Sequence, residues 1–218
     1  MNFNLIDESG MTANDLEITR LAVIEYLKPL APWGFGNCSV TVGAADGVPV
    51  YITKRKRKLT AAGYHAVENG LPVIYVAPRA NLFGTYRPAK PVVPAKKIGT
   101  FTLRARPAVA EYLLSGQLAT ICHEIAEVLG DPLIATKSNP DSLGHNYLRE
   151  ITDPVHGQCY NVVIKSVNCV LPNTVLPNWY ELGSAKPYDV MGWCTEPFQK
   201  APKGYAYWVD KFGKFFKV

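Results

Sequence analysis

The length, composition and charge of the chain exclude a disordered or fibrous protein. Its 218 residues suit one domain, or a large domain with an elaborate C-terminal lobe, and 48% hydrophobic against 19% charged residues supply enough apolar material for a core. Part of the net charge of +5 lies in the basic run at residues 54–58. This run predicts either a solvated hairpin end or a nucleic-acid patch, and we favour the hairpin because no nucleic-acid module is recognisable.

The N-terminus and the cysteines indicate the compartment. Residues 1–8 lack a basic segment followed by an apolar stretch, which argues against a signal peptide, and no segment has the apolar length needed to cross a bilayer. The five cysteines lack paired CxxC spacing, which argues against a disulfide framework and a cysteine-based zinc site. We therefore expect a protein of a reducing compartment such as the cytoplasm, with no membrane partner.

In chain order, the first half predicts one helix and a small sheet. Thr12 followed by Asp15 resembles a helix cap, and the helix is expected to run to about Lys28. Its apolar residues along one side are Leu16, Val23, Ile24 and Leu27. Strands are predicted at residues 38–42, 48–53 and 72–77. Residues 81–100, which contain several prolines and glycines, are predicted as a long loop.

The second half predicts a stronger helix followed by an irregular lobe. Pro107 suits the first position of a helical segment, and the stronger helix is predicted at residues 117–130, ending at Asp131. Short strands are predicted at residues 160–164, 167–171, 205–209 and 215–218, the last two as a hairpin. Helix, small mixed sheet, helix and irregular lobe together predict an α+β fold.

One face of the helix at residues 117–130 groups side chains that can bind a metal. At about 100° per residue, apolar side chains cover one broad side. The opposite wedge contains Thr120, His123, Glu124, Glu127 and Asp131. His123 and Glu127 lie one turn apart, so that one cation can take a ligand from each, and Glu124 beside them can act as general base. The alternative is the wet face of an ordinary amphipathic helix.

The pattern is H-E-x-x-H of metallopeptidases with glutamate in place of the second histidine. A glutamate oxygen remains a competent ligand for Zn²⁺, although it lowers the Lewis acidity of the ion and admits harder cations. Zn²⁺ is therefore the expected cofactor, with Ca²⁺ or no ion as the alternatives. A third protein ligand is needed, and the two candidates are Glu150 and Asp131.

Three resemblances extend this pattern. Glu150 follows Glu127 near the spacing at which thermolysin-like enzymes bring a glutamate from a later helix to the metal. The resemblance implies that Asp153 supports a ligating histidine. The alternative role of Asp153 is a turn or a helix cap. Residues 123–130 resemble the opening of the metzincin motif. Residues 188–193 resemble the methionine turn of metzincins, which implies that Met191 lies below the metal, although core packing also suits this methionine.

A closer resemblance covers residues from about 60 to 209. It is to a group of bacterial and phage proteins with the motifs H-E-x-x-E-x-x-x-D-P, E-x-x-D-P-V, P-Y-D-x-x-G and a late G-Y, all present here. The resemblance implies a metal site built from these acidic residues, and an association with phage. The expected organisation is a zincin-like subdomain at residues 1–135 and a C-terminal lobe at residues 136–218 that supplies the third ligand.

Two functions are compatible with these motifs. The first is a metal-dependent peptidase, with Glu124 as general base and an extended peptide bound along the strand at residues 72–77. The candidates for a side chain that donates a hydrogen bond to the oxyanion are Tyr147, His145, His156 and Tyr180. The second is a non-catalytic protein of the same fold with a structural or vestigial ion, which contacts virion proteins through the aromatic residues of its C-terminal lobe. Nucleic acid is the least favoured partner.

Overall fold

A computed structural model describes residues 1–35, 37–53, 62–78, 82–83, 96–98, 101–103, 116–135, 137–210, 212 and 214–218. The basic run at residues 54–58, the segment that begins at Pro107 and most of the predicted loop at residues 81–100 lie outside this part of the chain. Within it the fold is α+β, as predicted, with two α-helices, short 3-10 helices and several small sheets. Neither of these helices combines the length and apolar character needed to span a membrane.

The largest sheet is mixed, as expected. Its five strands are β1 (Asn2–Asp7), β2 (Ser39–Val42), β3 (Val48–Ile52), β4 (Gly63–Glu68) and β5 (Leu71–Val76). They lie in the order β2-β1-β3-β5-β4, and all neighbours are parallel except β4, which runs antiparallel to β5. β1 and β4 were not predicted. Asn4 interrupts the apolar pattern of β1, and β4 has mostly half-buried side chains.

The prediction that residues 72–77 form the substrate-binding edge of the sheet is wrong. These residues lie in β5, which is hydrogen-bonded to β3 on one side and to β4 on the other. β4 is the edge strand, because β5 is its single neighbour among the described strands. The order of strands depends on which segment of the chain pairs with β5. The local sequence pattern does not specify that pairing.

Part of the predicted loop at residues 81–100 is a strand. β6 (Lys96–Ile98) pairs antiparallel with β7 (Phe101–Leu103). The prolines and glycines around this ribbon obscured it in the sequence. In contrast, the short strands predicted at residues 160–164 and 167–171 and the C-terminal hairpin are confirmed. β10 (Cys159–Ile164) and β11 (Val167–Pro172) form a separate two-stranded antiparallel sheet. A four-stranded sheet has the order β13-β12-β9-β8. Its strands are β8 (Lys137–Pro140), β9 (Asn146–Leu148), β12 (Tyr207–Val209) and β13 (Phe215–Lys217).

Helix α1 (Ala13–Leu27) begins where the cap predicts. The backbone amide of Asp15 donates to Thr12 Oγ1 at 3.1 Å. Of the four residues predicted along one side, Val23 and Leu27 are buried, whereas Leu16 and Ile24 are only partly buried. α1 contacts β2, β10, β11 and helix α2 (Gln117–Gly130), so it closes the core between the sheet and the C-terminal hairpin.

Helix α2 is buried on both of its faces. Its apolar side joins a hydrophobic cluster that also contains Phe3 from β1 and Trp179 from the C-terminal part of the chain. The polar wedge is covered as well, since Glu124 and Glu127 are each 5% exposed. The alternative of an ordinary wet face is therefore excluded. Carboxylates enclosed to this degree require partners, because an uncompensated buried charge is costly.

Candidate metal centre

Two candidate ligands lie on one turn of α2, at the spacing that the sequence predicts. His123 Nε2 lies 2.8 Å from Glu127 Oε1 and 3.3 Å from Asp153 Oδ1. Both carboxylate oxygens are buried and have no hydrogen-bond partner, because the contacts with the imidazole lack hydrogen-bond geometry. Two carboxylate oxygens thus contact the same imidazole nitrogen. This is the donor set that a divalent cation completes.

A glycine at the end of α2 allows the acidic segment at residues 150–153 to approach. A Cβ added to Gly130 would lie 2.4 Å from the carbonyl oxygen of Arg149 and 2.6 Å from Cγ2 of Ile151. Only glycine therefore leaves room for this backbone to pass the helix end. The approach brings Glu150 and then Asp153 to the polar face of α2. Asp153 begins a short 3-10 helix, and its carbonyl accepts a hydrogen bond from the Tyr205 amide at 3.0 Å.

His65, on β4, belongs to the cluster and was missed in the sequence. Its Nδ1 lies 3.4 Å from Glu127 Oε2 and 3.6 Å from Glu124 Oε2, and its Nε2 lies 4.0 Å from Glu150 Oε2. His65 could not be identified from the sequence, because it is not part of a spacing pattern typical of metal sites, and its strand was not predicted. Only the packing of β4 against α2 shows its partners.

Of the four oxyanion donors considered, only His156 lies at the cluster. Its ring is 5.9 Å from the ring of His123, edge to face. The other three are engaged elsewhere: His145 and Tyr147 both contact Asp141, and the Tyr180 hydroxyl donates to the carbonyl of Leu148. The cleft is lined instead by Tyr205 and Tyr207, which the sequence indicated only as packing or interface aromatics of the C-terminal lobe, and Tyr205 also as part of the G-Y motif.

The possible ligand atoms form three groups, each with its atoms within 4.8 Å of one another. The groups are His123 with Asp153 and His156, His65 with Glu127 and Glu150, and His123 with Glu124 and Glu127. The first and third groups share His123, and the second and third share Glu127. Five of the seven predicted site residues, Asp153 among them as a possible ligand, are thus brought together with two further histidines.

Two predicted site residues lie outside these groups. Asp131 is fully buried and caps the turn after α2, where its Oδ1 accepts a hydrogen bond from the Ala135 amide at 2.8 Å. Met191 is 43% exposed and does not line the cleft. Its backbone amide donates to Asp189 Oδ1 at 2.9 Å, so residues 188–193 are organised around a buried aspartate. Neither residue belongs to one of the three groups, so the roles of Asp131 as third ligand and of Met191 as support below the metal stay predictions.

The carboxylates and histidines strongly shift one another's proton affinity. Burial and then the charge of Glu127 raise the pKa of Glu150 to about 8 and the pKa of Asp153 to about 6. Burial lowers the pKa of both histidines, but the neighbouring carboxylates outweigh it. The pKa of His65 is raised to about 10, and that of His123 well above its usual value. Burial raises the pKa of Glu127, yet the two histidines hold it below its ordinary value.

The metal-free protein is expected to lose stability as the pH rises through neutrality. Folded Glu150 and Asp153 hold their protons up to a pKa of about 8 and about 6, against ordinary values of 4.5 and 3.8. Their contribution is complete at acidic pH and lost as the pH rises through the folded values. His65 acts in the same direction up to a pKa of about 10.

Thermal denaturation of chelator-treated protein from about pH 5 to about pH 8 checks this dependence. The midpoint should fall as the pH rises, and added Zn²⁺ should stabilise the protein more at the upper end, where the ligands release their protons more readily. Glu127 does not reverse the slope, since its lowered pKa acts only at more acidic pH. A midpoint that rises with pH in the absence of metal would contradict the assignment of these charges.

The cluster opens into a cleft of about 280 Å³. Its lining contains Gly63, Tyr64, His65, His123, Glu124, Glu127, Ile134, Glu150, Asp153, Tyr205 and Tyr207. Among the described residues that line it there is no lysine or arginine, so the four carboxylates face only histidines and tyrosines. A cation is the partner that this charge distribution favours.

Comparisons of this chain with models of protein families, with curated proteins and with solved structures give no match. The likeness to zincins therefore stays an expectation drawn from motifs. The candidate metal centre is defined by the geometry of its own side chains, and the chain as a whole is an α+β protein with a buried cluster of histidines and carboxylates.

Proposed function

We propose that this chain is a metal-dependent, zincin-like hydrolase of peptide bonds. His123 and Glu127 would hold the ion together with Asp153, whose side chain would have to move closer to Glu127, because these two carboxylates belong to different groups. His156 would be within reach as a fourth ligand, and Glu124 would act as general base. The observation that carries the proposal is the convergence of Glu127 Oε1 and Asp153 Oδ1, both buried and without hydrogen-bond partners, on His123 Nε2. One nitrogen and two oxygens suit Zn²⁺, and the oxygens also suit Mn²⁺.

The residues around the ion have separable roles in hydrolysis. A bound Zn²⁺ supplies Lewis acidity and lowers the pKa of a water molecule. Glu124 lies on the same turn as His123 and lines the cleft, so its carboxylate can take a proton from the attacking water and deliver it to the leaving amine. His156, which is grouped with His123 and Asp153, would donate to the oxyanion if it is not a ligand.

The edge strand β4 supports a peptide as the substrate. Within the described part of the chain, β4 has a strand neighbour on one side only, so every second residue presents unpaired backbone groups on the other side. An extended peptide can bind there as an added strand. Gly63, Tyr64 and His65 of this strand also line the cleft, so a chain bound along β4 would pass directly over the carboxylates.

The proposal is tested by metal analysis and digestion of a peptide library. Protein reconstituted with Zn²⁺ and dialysed should retain metal, and cleavage should stop when a chelator is added. His123→Ala should lower the metal content and abolish cleavage, whereas His145→Ala, outside the cluster, should do neither. Retention of no metal would overturn the proposal. Retained metal without chelator-sensitive cleavage would assign the ion a structural role and leave the non-catalytic function.

A further inference from the structure

We propose that the centre binds a second divalent cation, held by His65, Glu127 and Glu150, and that Glu127 bridges the two ions. The inference rests on the proposed function for the first ion, at His123 and Asp153. It adds a metal site that involves β4, a strand from which the H-E-x-x-E motif draws no ligand. The second ion would be a borderline or hard divalent cation such as Zn²⁺ or Mn²⁺, given one imidazole and two carboxylates as ligands.

The first support is the imidazole of His65, which is buried although one of its nitrogens makes no hydrogen bond. The His65 side chain is 7% exposed, and its Nε2 has no hydrogen-bond partner, although Glu150 Oε2 lies 4.0 Å away. One atom from each of His65, Glu127 and Glu150 lies within 4.8 Å of the others. Ligands of a single Zn²⁺ lie about 2 Å from the ion and therefore about 3 to 4 Å from one another, so small side-chain movements suffice.

The second support is the orientation of Glu127 between the two histidines. Its Oε1 lies 2.8 Å from His123 Nε2, and its Oε2 lies 3.4 Å from His65 Nδ1. Each oxygen of one carboxylate thus faces a different imidazole. A carboxylate in this position can bridge two ions, which in two-metal sites lie about 3.5 to 4 Å apart.

The third support is the balance of charge. When all are ionised, Glu124, Glu127, Glu150 and Asp153 bring four negative charges into one buried cluster, and the described lining of the cleft contains no lysine or arginine. One divalent cation leaves two of these charges uncompensated, whereas two cations balance all four. The competing arrangement is one cation together with a proton on His65, which would then pair with Glu124 and Glu127.

The number of bound ions separates the two arrangements. Protein reconstituted with Mn²⁺, and separately with Zn²⁺, is dialysed and analysed for metal. Two ions per chain are expected, and the Mn²⁺ form should give the electron paramagnetic resonance spectrum of a spin-coupled pair. His65→Ala should retain one ion and give the spectrum of isolated Mn²⁺. His145→Ala is the matched control, because this histidine contacts Asp141 away from the cluster, and it should retain the coupled pair.

One ion per chain in the unsubstituted protein would overturn the inference, as would two ions that persist in His65→Ala. If a single ion is lost in His123→Ala but retained in His65→Ala, the bridged pair is wrong and the proposed function stands. If no ion binds, both fail. Should His65→Ala not fold, as judged by circular dichroism, Glu150→Gln provides the same test, because it removes the charge of the second ligand at nearly constant volume.

Discussion

Replacing Glu124 with glutamine should leave the metal bound and lower the rate of peptide cleavage by about 10²- to 10⁴-fold, the usual contribution of a general base. Glutamine keeps the volume and the hydrogen-bonding capacity of the side chain, but its amide cannot take a proton from water. The shortest contacts of His123 in the cluster are to Glu127 and Asp153, so neither the imidazole nor these carboxylates depends on the charge of Glu124 for position.

The measurement is the steady-state rate of the metal-loaded variant on a peptide substrate, beside its metal content. Glu25→Gln is the matched control, since it makes the same change on α1, where Glu25 pairs with Lys28 at the surface. Its rate should equal that of the unsubstituted protein. A Glu124→Gln variant that cleaves as fast as the unsubstituted protein would remove Glu124 from the role of base. A variant that loses its metal would show that Glu124 is a ligand.

Replacing Gly130 with alanine should lower the free energy of unfolding by about 1–3 kcal/mol, the usual cost of overpacking. An added Cβ would lie 2.4 Å from the carbonyl oxygen of Arg149, a backbone atom that cannot rotate away. The end of α2 and the segment with Glu150 must then separate. The preference for alanine over glycine of about 1 kcal/mol applies to helix interiors. Because Gly130 is the last residue of α2, this preference offsets little of the steric cost.

Urea denaturation of the metal-free protein checks the stability, and metal titration checks the site. Metal affinity should fall together with stability, because the strained segment carries Glu150 and leads into Asp153. A Gly130→Ala variant that is as stable as the unsubstituted protein, or more so, would mean that the helix end and the acidic segment are not in the close contact described here.

Those parts of the fold that depend on local chemistry could be predicted from the sequence. The cap at Thr12 depends on a side chain and an amide three residues apart, and the metal-binding face of α2 depends on the helical period that places His123 and Glu127 one turn apart. The C-terminal hairpins follow in the same way from apolar runs separated by turns.

The roles of the acidic residues could not be predicted in this way. Spacing alone made Glu150 and Asp131 the candidates for the third ligand, with Asp153 behind them. The folded chain places Asp153 beside His123 and Glu150 beside His65, while Asp131 caps a turn. Distance along the sequence does not specify which of several nearby carboxylates points toward an imidazole, because that depends on the path of the backbone past Gly130.

The sequence by itself determined that an imidazole and a carboxylate share one turn of a helix, because that relation needs only the geometry of the helix. The tertiary structure alone decided that β4 forms the edge of the sheet and brings His65 against Glu124 and Glu127. Pairing between strands and the packing of a sheet on a helix join residues far apart in the chain. Their partners are selected by the burial of the whole core, not by any pattern within one segment.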